Sequence, residues 1–304
     1  MDRTVDELRR ELTARGFRGE LVAESPLAPH TTWKIGGPAE LMATPADVDD
    51  VVLAVERAAA AGVAWRVLGN GSNLLVADRG VRGLVIRVRR VLDAVRVEGH
   101  TLDVGAGAML PLVAHRAAAA GLSGLEFGAG IPGTIGGAVI MNAGWHEFEI
   151  GNLVRWVDWI GPSGQRLRQE RDDCGFRYRG SRFRDERGIV VAANLALEPG
   201  DAREIRARLD RFAASRKQNQ PTELPSCGSV FLQPPGDFAG RLIEQAGLKG
   251  STNGAAQVSP KHANFIVNLG GATSRQVLEL VERVERAVED RFGVRLVREF
   301  EYWR

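Results

Sequence analysis

Residues 128–144 read GAGIPGTIGGAVIMNAG, six glycines and a proline in seventeen positions of otherwise ordinary sequence. Glycine lets a backbone approach a ligand closely and adopt positive φ without strain. The stretch therefore predicts main-chain N–H groups turned toward something large and anionic. A shorter element of the same kind, GNGSN at residues 69–73, lies upstream. Two separated glycine-rich cradles point to a dinucleotide. Residues 128–133 also spell GxGxxG, but a Rossmann fingerprint follows a strand and opens a helix, with an acidic residue about 20 positions on. Here Pro132 removes a backbone donor. Gly136 and Gly137, weak helix formers, stand where that helix should propagate. No GxxxxGK[ST] occurs, which argues against a P-loop.

The 304 residues leave room for two or three domains. A net charge of +2, with no basic block interleaved with aromatics, gives no reason to invoke nucleic acid. Two cysteines are too few for a disulfide framework or a cysteine-based zinc site, and the five histidines form no HExxH pair, so no metal is expected. The first residues form an amphipathic pattern with Val5, Leu8 and Leu12 on one side, without the apolar core of a secretory signal. No stretch approaches the roughly 18 apolar residues of a membrane span. The expectation is a cytoplasmic, metal-free protein with no membrane association and no obligatory protein partner.

Along the chain, Thr44-Pro45-Ala46-Asp47 reads as a cap with proline at the first helical position, followed by Val48, Val51, Val52, Val55, Ala58 and Ala59 at helical spacing. Short β-branched runs at 66–68, 74–77 and 84–88 predict strands, which sets GNGSN in a strand–loop–strand context. Further strands are expected at 94–97, 101–104, 154–160 and 189–197, with an alanine-rich helix over 110–120. After residue 200 come a charged helix at 202–217, a loop at 218–225, strands at 229–232 and 264–268, and a helix near 238–246. Thr273 or Ser274 then caps a long helix striped by Val277, Leu280, Val281, Val284 and Val288. Three domains result, 1–90, 91–200 and 201–304.

The ordered segments TTWKIGGPA (31–39), GNGSNLLVAD (69–78), GIPGTIGGAVIMNAG (130–144), YRGS (178–181) and PSCGSVF (225–231) resemble the UDP-N-acetylenolpyruvoylglucosamine reductase family across residues 25–300. The resemblance implies an α+β fold: a two-subdomain FAD-binding region of the vanillyl-alcohol-oxidase type, then a smaller α+β substrate-binding domain. It implies that Gly69, Asn70, Gly71, Ser72 and Asn73 hold the FAD pyrophosphate. Gly130, Ile131, Pro132, Gly133, Thr134, Gly136 and Gly137 would run along the flavin and its ribityl chain, and Ile189 and Val191 would line the ring. Arg216 falls where the family has an arginine near the flavin. The chain runs from YRGS to Gly188 without the tyrosine-bearing insert of the type I branch, which indicates type II.

The implied reaction is NADPH-dependent reduction of UDP-N-acetylglucosamine enolpyruvate to UDP-N-acetylmuramate for peptidoglycan. Hydride arriving at the vinyl terminus drives charge onto the neighbouring carbon and into the carboxylate. Arg179 is the implied cation for that charge, because a guanidinium stays charged and can fork onto a carboxylate. Ser229 would give the proton to carbon. Glu299 is the implied third group and must carry or share a proton to help. The family typically reads LEPEVR where this chain has LVREFE, so Glu301 competes with Glu299, and the two share a face if both lie on one strand. Tyr178 and Asn219 are the implied substrate contacts. Asn219 replaces a usual lysine, which leaves Lys217 as its possible substitute. Cys227 has no evident partner base and reads as a packing residue. An oxidase of the same architecture acting on an alcohol, and a non-catalytic dinucleotide-binding protein, remain as alternatives.

Overall fold

A computed structural model describes residues 3–89, 91–145 and 147–304. Contacts divide the chain into two units, and the division is not collinear with sequence. One comprises Met1–Glu24, Glu40–Asn70 and Gly83–Ala214; the other comprises Ser25–Ala39, Gly71–Arg82 and Ser215–Arg304.

The first unit holds two apolar cores. Val5, Leu8 and Leu12 of the helix Arg3–Ala14 pack with Val51, Ala54, Val55 and Ala58 of the helix Val48–Ala60 and with Leu84 and Ile86 of the strand Val81–Arg87. That strand runs parallel to Trp65–Leu68, at the edge of a four-stranded sheet completed by Glu20–Pro26 and Pro38–Thr44. The helix Val48–Ala60 is capped by Asp47, whose side chain accepts the N–H of Asp49 at 3.0 Å and of Asp50 at 3.2 Å. The cap lies later than the Thr44-Pro45 reading because Thr44 is spent as the last residue of a strand. Asp50 is buried, yet its carboxylate takes N–H bonds from Arg18, Gly19 and Ala46. Backbone donors thus satisfy a charge that burial would otherwise penalise.

The second core lies against a five-stranded sheet ordered Arg166–Glu170, Val154–Ile160, Ile189–Ala196, Thr101–Gly105, Val95–Glu98, antiparallel throughout. Antiparallel pairing excludes a Rossmann unit, whose sheet is mostly parallel. The GxGxxG stretch follows a 3-10 turn, Glu126–Gly130, instead of a strand. One expectation fails here: a helix, Ile135–Met141, does form through Gly136 and Gly137. Tertiary bonds outweigh the poor propensity. Ile135 and Gly136 donate to the carbonyls of Ala108 and Ala106, each at 2.9 Å, and Thr134 caps Gly137 at 3.3 Å. A Cβ on Gly136 would lie 2.9 Å from the Ala106 Cβ, so glycine is what lets the helix settle this closely.

In the second unit the helix Ser274–Phe292 buries Val277, Leu280, Val281, Val284 and Val288 against Trp33, Ile35, Phe231 and Phe300. Thr273 is its cap, in a reciprocal capping box with Gln276. A three-stranded antiparallel sheet, Thr252–Asn253, Ala256–Val258 and Ile266–Asn268, completes the layer. The strand expected at 229–232 is reduced to one bridge, Phe231 with Arg298. The buried Asn264 side chain takes the place of a neighbouring strand, accepting the Phe231 N–H at 2.9 Å and donating to its carbonyl at 2.8 Å. Among the described residues no helix is long and apolar enough to cross a membrane.

Candidate active site

In the first unit the two glycine motifs meet. Gly69 follows the strand Trp65–Leu68, and a Cβ on it would lie 2.8 Å from the Thr134 Oγ1. The Asn70 side-chain amide donates to the Pro132 carbonyl. Gly130 ends the 3-10 turn, the Ile131 N–H returns to the Gly128 carbonyl, and the Gly133 carbonyl accepts from Leu110 at 2.9 Å. Gly137 differs from its neighbours. It is exposed, and an added Cβ would meet only the Thr134 Oγ1 at 3.5 Å, an ordinary contact. The fold does not require glycine at 137, whereas closeness to a bound ligand would. Ile189 and Val191 have their side chains in the apolar core. The Val191 carbonyl accepts from Ala106, whose own carbonyl accepts from Gly136, so the strand supports the cradle through its backbone.

Arg179 sits in the same unit at the tip of a turn closed by mutual Arg177–Gly180 backbone bonds of 3.0 and 3.1 Å. Its φ of +53° lies in the left-handed region, which a side chain makes costly. Its guanidinium donates to the Gly144 carbonyl at 3.1 Å and lies 5.2 Å from the centre of the Tyr178 ring, itself half exposed. Two residues outside the sequence-derived site set hold this turn to the cradle helix. Asn142, the left-handed C-cap of Ile135–Met141, donates to the Arg177 carbonyl at 3.1 Å. Buried Ser181 donates to the Ile140 carbonyl at 2.9 Å. Both occur inside the motifs MNAG and YRGS, but their partners are 35 and 41 residues away.

In the second unit Gly71, at φ +62°, packs so closely on His30 that a Cβ would overlap its carbonyl oxygen. The Gly71 carbonyl accepts the Thr32 N–H at 3.1 Å, joining GNGSN to TTWKIGG. Ser72 and Asn73 turn the chain into the strand Leu74–Val76, which pairs in parallel with Glu301–Trp303. The Asn73 amide donates to the Glu299 carbonyl at 3.1 Å, the Glu301 N–H returns to the Asn73 carbonyl at 3.0 Å, and the Glu299 N–H donates to the Val230 carbonyl at 2.8 Å. The cradle's end, the PSCGSVF segment and Glu299 are thereby one hydrogen-bonded assembly. Arg298, beside Glu299, forks onto Glu285 at 2.6 and 2.7 Å.

The Ser229 hydroxyl is half-buried and makes no hydrogen bond among the described residues. Burial, with a further push from the Glu299 carboxylate, holds the Cys227 thiol well above its usual pKa. A thiol kept protonated in this way is no nucleophile. Glu299 is half-buried, whereas Glu301 faces solvent and accepts from the Trp303 indole at 3.4 Å. Glu301 opens its strand and Glu299 precedes it, so the two are not successive same-face positions of one strand. Arg216 and Asn219 lie in the last turn of the helix Ala202–Asn219. Asn219 is exposed and donates to the Ser215 hydroxyl at 3.3 Å. Lys217 is exposed as well, and its carbonyl accepts from the Lys261 ammonium at 2.8 Å. Burial lowers the Arg216 pKa to about 10. Among the described residues no cluster of histidine, cysteine and carboxylate groups could hold a metal ion.

Residues 39–168 match the FAD binding domain family, and residues 220–303 match the C-terminal domain of UDP-N-acetylenolpyruvoylglucosamine reductase. The chain is 47% identical over 283 residues to the UDP-N-acetylenolpyruvoylglucosamine reductase of Heliobacterium modesticaldum, covering 93% of this chain and 90% of that one. It is 46% identical to the enzyme of the same name from Rubrobacter xylanophilus, over 90% and 92% of the two chains. The crystal structure of the Thermus caldophilus enzyme superposes with a TM-score of 0.81 at 40% identity, covering 94% of this chain and 99% of the other. The α+β class holds, with an FAD-binding region followed by a smaller α+β domain. On this extent of identity and coverage, the chain belongs to the UDP-N-acetylenolpyruvoylglucosamine reductase family.

Proposed function

We propose that this protein reduces the enolpyruvyl group of UDP-N-acetylglucosamine enolpyruvate to give UDP-N-acetylmuramate, a peptidoglycan precursor, with bound FAD and NADPH as reductant. The observation that carries the proposal is the assembly of Asn73, Val230 and Glu299, which ties the cofactor cradle to the segments of the candidate proton donor and acid. The cradle itself fits a dinucleotide. Gly69 and Gly71 are required by the fold, while Gly137 leaves exposed backbone open to a ligand.

When held by the glycine-rich cradle, FAD would supply hydride chemistry, with NADPH as its reductant. The chain's own residues manage the charge and the proton that follow. Arg179 balances the negative charge that spreads into the substrate carboxylate; its turn is pre-set by Asn142 and Ser181, so little reorganisation is needed. Ser229 gives its proton to the substrate carbon, and a hydroxyl without an internal partner is free to point at it. With the charged substrate in place, Glu299 takes up or shares a proton and hydrogen-bonds it. Its partial burial beside Cys227 supports it over solvent-facing Glu301. Tyr178 and Asn219 contact the nucleotide sugar, and Lys217 supplies the positive charge that Asn219 lacks.

An anaerobic absorption spectrum tests the proposal, with NADPH added first and the enolpyruvyl sugar second. Bleaching of the bound flavin followed by rapid recovery on adding the sugar is expected. A flavin that stays reduced until oxygen enters would remove the assigned substrate. A protein that takes up no FAD would remove the reading altogether.

A further inference from the structure

Gln220 is one of a few described residues with a buried side-chain polar atom that has no partner. Its Oε1 is shielded from solvent and accepts no hydrogen bond. Its backbone N–H donates to the Arg216 carbonyl at 2.9 Å, which carries the helical pattern one residue beyond Ala202–Asn219. Residue 220 thus follows Arg216 by one helical turn, and residues at that spacing start from the same side of a helix. Arg216 has the complementary deficiency. It is half-buried, and its guanidinium has no ion-pair or hydrogen-bond partner among the described residues. Desolvation alone accounts for its lowered pKa. A bond from one to the other would satisfy both, and none is made.

Buried polar groups in native proteins are almost always paired, and the exceptions call for a missing partner. An amide oxygen beside a fan of guanidinium donors complements an edge that offers a ring N–H next to a carbonyl. We propose that Gln220 and Arg216 together read the imide edge of a heterocycle, the Gln220 oxygen accepting its N–H and Arg216 donating to the adjoining carbonyl. The inference rests on the function proposed above, which brings two imides to the protein, the pyrimidine ring of the flavin and the uracil of the substrate.

The test is Gln220→Leu, which removes the acceptor and keeps most of the volume, with Gln220→Met as a second variant should leucine not fold. The FAD-free variant should melt at a higher temperature than FAD-free wild type, because an unpaired buried acceptor has been replaced by an apolar group. Affinity for FAD is followed by flavin fluorescence, and affinity for UDP by calorimetry on the FAD-loaded protein. A roughly tenfold loss, as expected for one hydrogen bond, should appear in one of them. Loss confined to FAD identifies the flavin, and loss confined to UDP identifies the uracil. N3-methylated FAD or UDP should bind wild type more weakly than the parent ligand and bind the variant equally well. Unchanged affinity for both ligands would overturn the inference while leaving the proposed function intact. Failure of wild type to bind FAD or UDP at all would instead overturn that function.

Discussion

Two adjacent glycines in the cradle helix should respond to the same substitution in opposite ways. At Gly137 an added methyl meets nothing closer than the Thr134 Oγ1 at 3.5 Å, and the backbone is helical. Alanine is favoured over glycine within a helix by about 1 kcal/mol. Because 137 is the third residue of a seven-residue helix, we expect roughly half to all of that gain, a rise of about 2 °C in the melting temperature of the FAD-free protein. At Gly136 the methyl would lie 2.9 Å from the Ala106 Cβ and 3.3 Å from its carbonyl oxygen, on a segment already fixed by the Gly136–Ala106 backbone bond. Overpacking of this kind costs about 1–3 kcal/mol, which exceeds the propensity gain. Gly136→Ala should therefore melt lower than wild type. Cofactor binding should distinguish Gly137→Ala from an ordinary stabilising change. If FAD lies against the exposed backbone at 137, the methyl should weaken its binding by about tenfold or more, a penalty of at least ~1.4 kcal/mol. The assay is thermal melting of the deflavinated proteins together with FAD titration by fluorescence. A Gly137→Ala protein that is stabilised and binds FAD with wild-type affinity would refute the assignment of that glycine to the cofactor. One that is destabilised without FAD would refute the local energetics.

Arg179→Gly should relieve the left-handed backbone, worth about 1 kcal/mol, and forfeit the bond to the Gly144 carbonyl, worth about as much. Its denaturation midpoint should thus move little while kcat falls by about 10²–10³, as expected for loss of a charge-stabilising donor. A kcat within threefold of wild type would remove Arg179 from the chemistry. Ser229→Ala should slow turnover by about 10²–10⁴ without altering the rate of flavin reduction by NADPH in stopped flow, because only the proton transfer to carbon is lost. Stability should change by no more than about 0.5 kcal/mol, since the hydroxyl has no internal partner to lose. Cys174 is buried, and desolvation pushes its thiol pKa to about 11. An unfolded chain then loses that proton at lower pH than the native protein, so the thiol's contribution to stability is level below about pH 9 and declines as pH rises toward 11. Urea denaturation of Cys174→Ala over that window should show a shallower decline than wild type, by up to about 2–3 kcal/mol. Parallel declines would mean the thiol ionises freely in the fold.

Features set by near neighbours in the chain are legible in the amino-acid sequence. The long helix declares itself through a stripe from Val277 to Val288 and a Thr273 cap, both properties of residues three or four apart. Strands at 154–160 and 189–197 follow from β-branched runs, and five short motifs in order indicate the family. Where local preference and distant partners disagree, the distant partners prevail. Gly136 and Gly137 enter a helix because Ala106 and Ala108 accept its first N–H groups. Residues 229–232 form only the single Phe231–Arg298 bridge, and the Phe231 N–H and carbonyl are taken by the Asn264 side chain.

The sequence by itself determined the α+β class, the family and which motifs carry the candidate chemistry, since periodicity, capping and motif order are written within a few residues of one another. Only the tertiary structure decided which side chains those motifs hold in place. The Glu299 segment is fixed by Asn73, 226 residues away, and the Arg179 turn by Asn142, while Gln220 is left with a buried oxygen and no partner. Those hydrogen bonds, and the burial that makes each one matter, exist only once distant segments have packed together.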